Sequence, residues 1–276
     1  MRALIALLAA VAAGSVAGGA RAANVEIKDA VARVTVVPEN RADIRVEVLV
    51  RNPRLPLKVR EGRRMIIAGN VKPSRIRNCG GGGENATVTV AGLGDLPMAQ
   101  IPYVVIHTPR NVEVTAGGAV FGAIGRAANV TLGNAGCGDW TIANIDQELK
   151  LSLAGSGDGH AGSAALAKLR IAGSGDITTG AVRGRVDIDV AGAGNVDVGA
   201  VQGPLNVHVA GSGDVTVRSG RATAMVASVA GSGNVVFKGE ADTLDARITG
   251  SGDVRARRVR GAVKKAVMGS GTVVVG

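Results

Sequence analysis

The chain has 276 residues, a formal charge of +10, and only one Trp, one Tyr and two Phe. So few rings leave almost no stacking platforms for bases or sugars, while the basic balance suits an anionic partner. Glycine is abundant, at 42 residues, and its regular spacing marks the chain as repetitive.

In chain order, Arg2, the apolar run Ala3 to Ala13 and the Ala20-Arg21-Ala22 site form the three parts of a secretory signal peptide over residues 1–22. The expected mature chain begins near Ala23 with no transmembrane segment, outside the cytoplasm, so nucleic acid is excluded as a partner class. Removing Arg2 and Arg21 lowers the formal charge from +10 to +8 (10 − 2). Residues 24–68 alternate apolar and polar, as in Ile44-Arg45-Val46-Glu47-Val48, and are punctuated by Pro38-Glu39-Asn40 and Pro53 to Pro56. These are strands with turns, expected to start or cap a sheet. Cys79 precedes the glycine run Gly80 to Gly83, which lacks the lysine of a phosphate loop and reads as a flexible turn. Cys79 and Cys137 both sit in glycine-rich corners of an exported chain, so one disulfide between them is expected and two unrelated thiols are the alternative.

From Gly136 onward one punctuation recurs. Its first glycines are Gly136, Gly155, Gly173, Gly192, Gly211, Gly231, Gly250 and Gly269, with steps of 19, 18, 19, 19, 20, 19 and 19 residues. Gly117 opens a degenerate copy one step upstream. Four residues after the glycine, the better copies carry Ile177, Val196, Val215, Val235, Val254 and Val273. Two, four and six residues before it they carry sets such as Val209, Val207 and Leu205. Polar residues such as Asn206, His208 and Thr216 lie between. Period two on both sides of a turn means two short strands per unit with alternate side chains facing a core. A period near 20 that cannot bury its own apolar face must stack. The expected fold is all-β, a right-handed parallel β-helix or solenoid with about 19 residues per coil and an N-terminal β-strand cap region. The hand is a default, since no residue pattern sets it. The expected divisions are 1–22 signal peptide, 23–90 N-terminal β region or cap, and 91–276 repeat domain.

These Ala-Gly-Ser-Gly-Asp-Val units, preceded by Leu96-Pro97 and Val104 to Pro109, resemble the auto-transporter adhesin, head GIN domain family over roughly Ala91 to Gly276. The resemblance implies an exported bacterial β-solenoid with an adhesin label.

Three constellations bear on chemistry. After the turn stand Asp139, Asp158, Asp176, Asn195, Asp214, Asn234, Asp253 and Thr272. Stacked acids invite calcium, but Asp and Asn also accept turn N–H groups in Asx turns, which needs no metal. Asp187, Asp189 and Asp197, with Arg185 nearby, come closest to a β-helix lyase or hydrolase groove, yet all three carboxylates fall at outward offsets. His107, His160 and His208 lie at unrelated offsets, and no catalytic constellation emerges. The third is basic: Arg218, Lys238 and Arg257 occur one per coil at offset seven. Arg258, Arg183, Arg221 and Arg260 occupy offsets eight and ten, with the acid Glu240 beside them at offset nine. Stacked, they form a stripe suited to a charged polymer; the alternative is that corners simply tolerate long solvated side chains.

The function expected from these residues is an exported, non-enzymatic binding protein of the cell envelope or surface, without metal or cofactor. It would act on anionic polysaccharide or lipopolysaccharide through Arg183, Arg218, Arg221, Lys238, Arg257, Arg258 and Arg260. A purely structural envelope protein is the alternative, and a polysaccharide lyase or hydrolase a more distant one.

Overall fold

A computed structural model describes residues 23–80 and 86–276. The signal peptide expected over 1–22, and Gly81 to Gly83 of the glycine turn, lie outside the described residues. The chain forms a parallel β-solenoid of about nine turns with about 19 residues per coil. Each interior coil contributes one strand to each of two ladders. In the first, Val186–Gly192, Leu205–Gly211, Met225–Gly231, Leu244–Gly250 and Val263–Gly269 pair in parallel succession. In the second, Ile177–Val182, Val196–Gln202, Val215–Val217, Val235–Ala241, Val254–Val259 and Val273–Val275 do the same. Like positions stack: Val196, Val215, Val235 and Val254 form one fully buried column. Alternate residues therefore line a single apolar core running along the molecule, and the hydrophobic gain accrues coil by coil.

The corner between the ladders explains the repeat. Gly211 has φ of 139°, a conformation that L side chains rarely adopt, and its carbonyl accepts N–H groups from both Ser232 and Gly233 of the next coil. The second glycine is required for room. A Cβ on Gly213 would lie 2.1 Å from the Gly194 carbonyl oxygen, and one on Gly252 would lie 2.0 Å from that of Gly233. In the degenerate copy the register corrects the expected alignment by one residue, because Gly136 pairs with Gly118 and Gly117 pairs with Ala135.

The N-terminal region differs from a simple cap. Ala23–Glu39 is an interior coil. It runs through both ladders, bends at Asp29 (φ 51°), and pairs in parallel with Asn111–Ile124 on one side. On its other side lie Met65–Ala68 in the first ladder and Tyr103–Pro109 in the second. Those two strands are halves of one coil, separated in sequence by an insertion. Among the described strands of the solenoid sheet, only Arg45–Val50 and Lys58–Arg60 run antiparallel, each along the outer edge of one of these halves. The alternation in residues 24–68 reveals strands, but pairing order depends on contacts distant in sequence.

Between the two halves sits a three-stranded antiparallel sheet of Ile76–Gly80, Thr87–Val90 and Gly94–Pro97. Its inner side chains, Val88, Val90 and Leu96, bury against Val31, Ala119 and Phe121 from the outside of the second ladder, forming a separate small core. Backbone bonds from Gly69 N to Lys28 O (2.9 Å) and Arg33 N to Pro102 O (2.8 Å) tie both ends of the insertion to the bent coil. Cys79 and Cys137 are joined by a disulfide with Cα atoms 5.9 Å apart, fastening the inserted sheet to the Gly136 corner.

Candidate functional site

Strand register places the basic residues in two columns. Val217, Phe237 and Ala256 stack in the core, so Arg218, Lys238 and Arg257, each one residue further on, turn outward one above another at the end of the second ladder. Coils are about 4.8 Å apart, which gives one cation per step. The second column reads Gln202, Arg221, Glu240 and Arg258, so an acid stands inside it.

That acid decides much of the local electrostatics. Glu240 lies 3.6 Å from Arg258 and accepts from Arg260 Nε at 3.0 Å, and these guanidiniums, Arg260 first, hold its carboxyl below the usual range. Two acids from neighbouring columns complete the pairing. Asp197 takes Arg218 in a two-point bond of 2.7 and 2.9 Å, which raises the guanidinium pKa above its ordinary value. Asp242 takes Arg221 at 3.0 and 3.1 Å. Arg183 reaches the backbone carbonyl of Asp146 at 3.4 Å. Among the described residues, Lys238 and Arg257 form no ion pair. The predicted stripe is therefore neutralised only in part: three carboxylates offset three of its seven cations, and Lys238 and Arg257 stand unpaired on neighbouring coils.

These two cations border a shallow depression together with Arg218, Arg255, Val236 and Val274. Arg255 escapes the column reading of the sequence. It belongs to the outward column Thr216, Val236, Arg255 and Val274, at offset five, where no other copy carries a cation. Its position beside Lys238 and Arg257 is visible only once register is known.

The Asp/Asn ladder is joined between coils, which corrects the Asx-turn expectation in detail. Each side-chain oxygen accepts the backbone N–H at the same position one coil on: Asp176 from Asn195 at 2.7 Å, Asn195 from Asp214 at 2.9 Å, Asp214 from Asn234 at 2.8 Å. Asn195 and Asn234 also donate their amide N–H to the preceding Asp, at 3.1 and 2.9 Å. Alternating amide and acid thus supplies donors that a run of carboxylates lacks. At the end, Thr272 bonds Asp253 by hydroxyl and backbone, and the hydroxyl bond leads the lowering of the Asp253 pKa. At the other end Asp139, partly buried and facing Asp158, has its pKa raised, chiefly by desolvation.

The carboxylates considered for catalysis are not brought together. Asp187 and Asp189 lie on Val186–Gly192 in the first ladder, bonded to Asn206 (2.7 Å) and Arg170 (3.2 Å), while Asp197 lies on Val196–Gln202 in the second. Arg185 sits in the corner before Val186. His107, His160 and His208 occupy three separate strands, and His107 is hydrogen-bonded to Glu39 at 3.0 Å.

Residues 101–219 and 200–276 of the chain match a family described as "Putative auto-transporter adhesin, head GIN domain". The chain belongs to this family. No curated protein matches the chain. The GIN-domain match begins after the inserted sheet and leaves out Ala23–Glu39, although that strand shares the common core. Among the described residues no helix is long and apolar enough to cross a membrane.

Proposed function

We propose that this GIN-domain protein is an exported, non-enzymatic binding module of the cell envelope or surface that holds an anionic polymer along the basic corner of its second ladder. The observation that carries this reading is the pair Lys238 and Arg257, which are stacked on consecutive coils and border a depression with Arg255 and exposed Val274. A polymer with regularly spaced negative groups, such as an acidic polysaccharide or lipopolysaccharide, can lie along the column and meet a cation at each coil. Export rests on the signal-peptide pattern of residues 1–22, and the adhesin description of the family accords with an envelope or surface location. The ion pairs made by Arg218, Arg221, Arg258 and Arg260 favour a second reading. In that reading the protein is structural and these charges mainly keep the solenoid soluble.

Retention on immobilised alginate and on lipopolysaccharide tests the first reading. Each exposed contact is worth about 0.5 kcal/mol, so replacing Lys238, Arg255 and Arg257 together with Ser is expected to weaken binding roughly tenfold. The loss should shrink as salt rises, because exposed charges are screened beyond about 8 Å at physiological ionic strength. Arg51, Arg54 and Arg63 changed to Ser remove the same charge at the other end. Equal losses in the two triple variants would leave net charge as the only attraction and overturn the site.

A further inference from the structure

Among the described residues the strand Val263–Gly269 pairs on one side only, with Leu244–Gly250. Its core-side residues Val263, Lys265 and Val267 continue the columns of Leu244, Ala246 and Ile248, which are buried to 2 % exposure or less. Here Val263 and Val267 are 38 % and 42 % exposed. In each preceding coil the N–H at the start of the strand donates onward, as from Leu205 to Ala224 O (2.9 Å) and from Leu244 to Ala262 O (3.0 Å). Alternation then directs the N–H groups of Val263, Lys265 and Val267 out past the last rung. The result is a seven-residue edge with aligned donors and apolar side chains.

The residue between the valines is the discriminating feature. Lys265 occupies a core column, and its ammonium crosses from the first ladder to donate to the Val273 carbonyl of the second at 2.9 Å. An apolar strand laid on this edge would bury that charge with one neutral acceptor, a costly arrangement. The surroundings reinforce the selection: residues 254–276 carry Arg255, Arg257, Arg258, Arg260, Lys264 and Lys265 and no acid. A second copy is disfavoured by the same charges. Edge-to-edge pairing of two such strands sets Lys264 and Lys265 against their counterparts. Pairing with the opposite end of the solenoid meets the outer strand Lys58–Arg60, also basic.

We infer that the Val263–Gly269 edge accepts an extended acidic polypeptide segment that adds in parallel as a further strand, with the pattern apolar, any, Glu or Asp, any, apolar. The two apolar residues stack on Val263 and Val267 and close the core, while the carboxylate between them pairs with Lys265. Carbonyls of the incoming backbone accept the three outward N–H groups at the two-residue repeat of a strand, about 6.6 Å. A glycan lacks that alternating backbone, so this edge is distinct in ligand class from the basic corner.

The test uses the whole protein and a fluorescein-labelled peptide Ser-Val-Ser-Glu-Ser-Val-Ser, read by fluorescence anisotropy. Wild type should bind. Lys265→Glu should weaken binding roughly tenfold or more, as expected for reversing one partner of a desolvated pair. Lys264→Glu makes the same charge change, but its column faces away from the core, and it should lose far less. Lys265→Glu should in turn bind the peptide with Lys in place of Glu, a recovery that an unfolded last coil would not give. Lys238→Ser, outside residues 254–276, should leave peptide binding intact, which separates this edge from the polymer site. Absence of wild-type binding, equal losses for the two glutamate variants, or failure of the exchanged pair would overturn the proposal. A concentration-dependent dimer that competes with the peptide would assign the edge to a second copy and also overturn it.

Discussion

Both glycines of each corner make room for the neighbouring coil: a Cβ on Gly211 would stand 2.2 Å from the Gly192 carbonyl oxygen and one on Gly213 2.1 Å from that of Gly194, and Gly211 has a positive φ in addition. Backbone cannot yield as a side-chain tip can, so Gly213→Ala must push two coils apart. It is expected to cost about 3 kcal/mol. Gly133 lies in the strand Asn129–Gly136 with nothing within 4 Å of its Cβ position. Gly133→Ala should stabilise by about 0.5 kcal/mol, by restricting the unfolded chain. Denaturant midpoints of the two variants check the contrast, and similar shifts would show that the corner is not close-packed. The sequence reveals both corner glycines by repetition. It cannot rank Gly133 against them, because the distinction is a distance to an atom on a neighbouring coil, far away along the chain.

At the scale of the element, the ladder after the corner is a hydrogen-bonded spine with unequal ends. Asp253 has a lowered pKa, led by its bond from Thr272, so its contribution is present above the unfolded carboxylate value and is lost as pH falls through the folded one. Asp139 has the opposite sign: desolvation raises its folded pKa above the ordinary aspartate value, with Asp158 adding repulsion. Its ionisation therefore opposes folding at neutral pH, and that penalty disappears as pH falls through the raised value to the unfolded one. Asp139→Asn keeps the acceptor for Asp158 N–H, a bond of 2.9 Å, and removes the charge. The variant should melt at a higher temperature than wild type at pH 7, with the difference vanishing below about pH 4. Thermal melts across that range are the measurement, and a lower melting temperature at pH 7 would contradict the assigned sign. The alternation of Asp and Asn was legible in sequence. That each oxygen serves the next coil was not, because local turn bonding satisfies the same pattern.

For the whole molecule, the disulfide links two cores of different size. It closes 58 residues of chain separation between the inserted sheet and the Gly136 corner. The chain-entropy argument assigns such a loop up to about 4 kcal/mol. Because the insertion has its own small core and the coils share a long one, reduction is expected to loosen the insertion alone. Hydrogen exchange should accelerate in Ile76–Gly80 and Thr87–Val90 upon reduction and stay unchanged in Val186–Gly192. Uniform acceleration would show instead that insertion and solenoid unfold as one unit.

By itself the sequence determined the coil. A 19-residue period, inward valines at alternate positions and paired glycines leave a stacked parallel solenoid as the arrangement that buries the apolar columns and satisfies the corners. These are local or strictly periodic signals, and periodicity converts sequence spacing into spatial neighbours. The tertiary structure decided what periodicity does not reach. Ala23–Glu39 is threaded between strands that occur later in the chain, because its apolar residues and backbone find partners on both sides there. The basic stripe is neutralised in part by Asp197, Asp242 and Glu240, because ion pairing depends on side-chain reach across columns. Lys265, one more lysine in a basic stretch when read along the chain, becomes the charge at the open end of the core because register places it there.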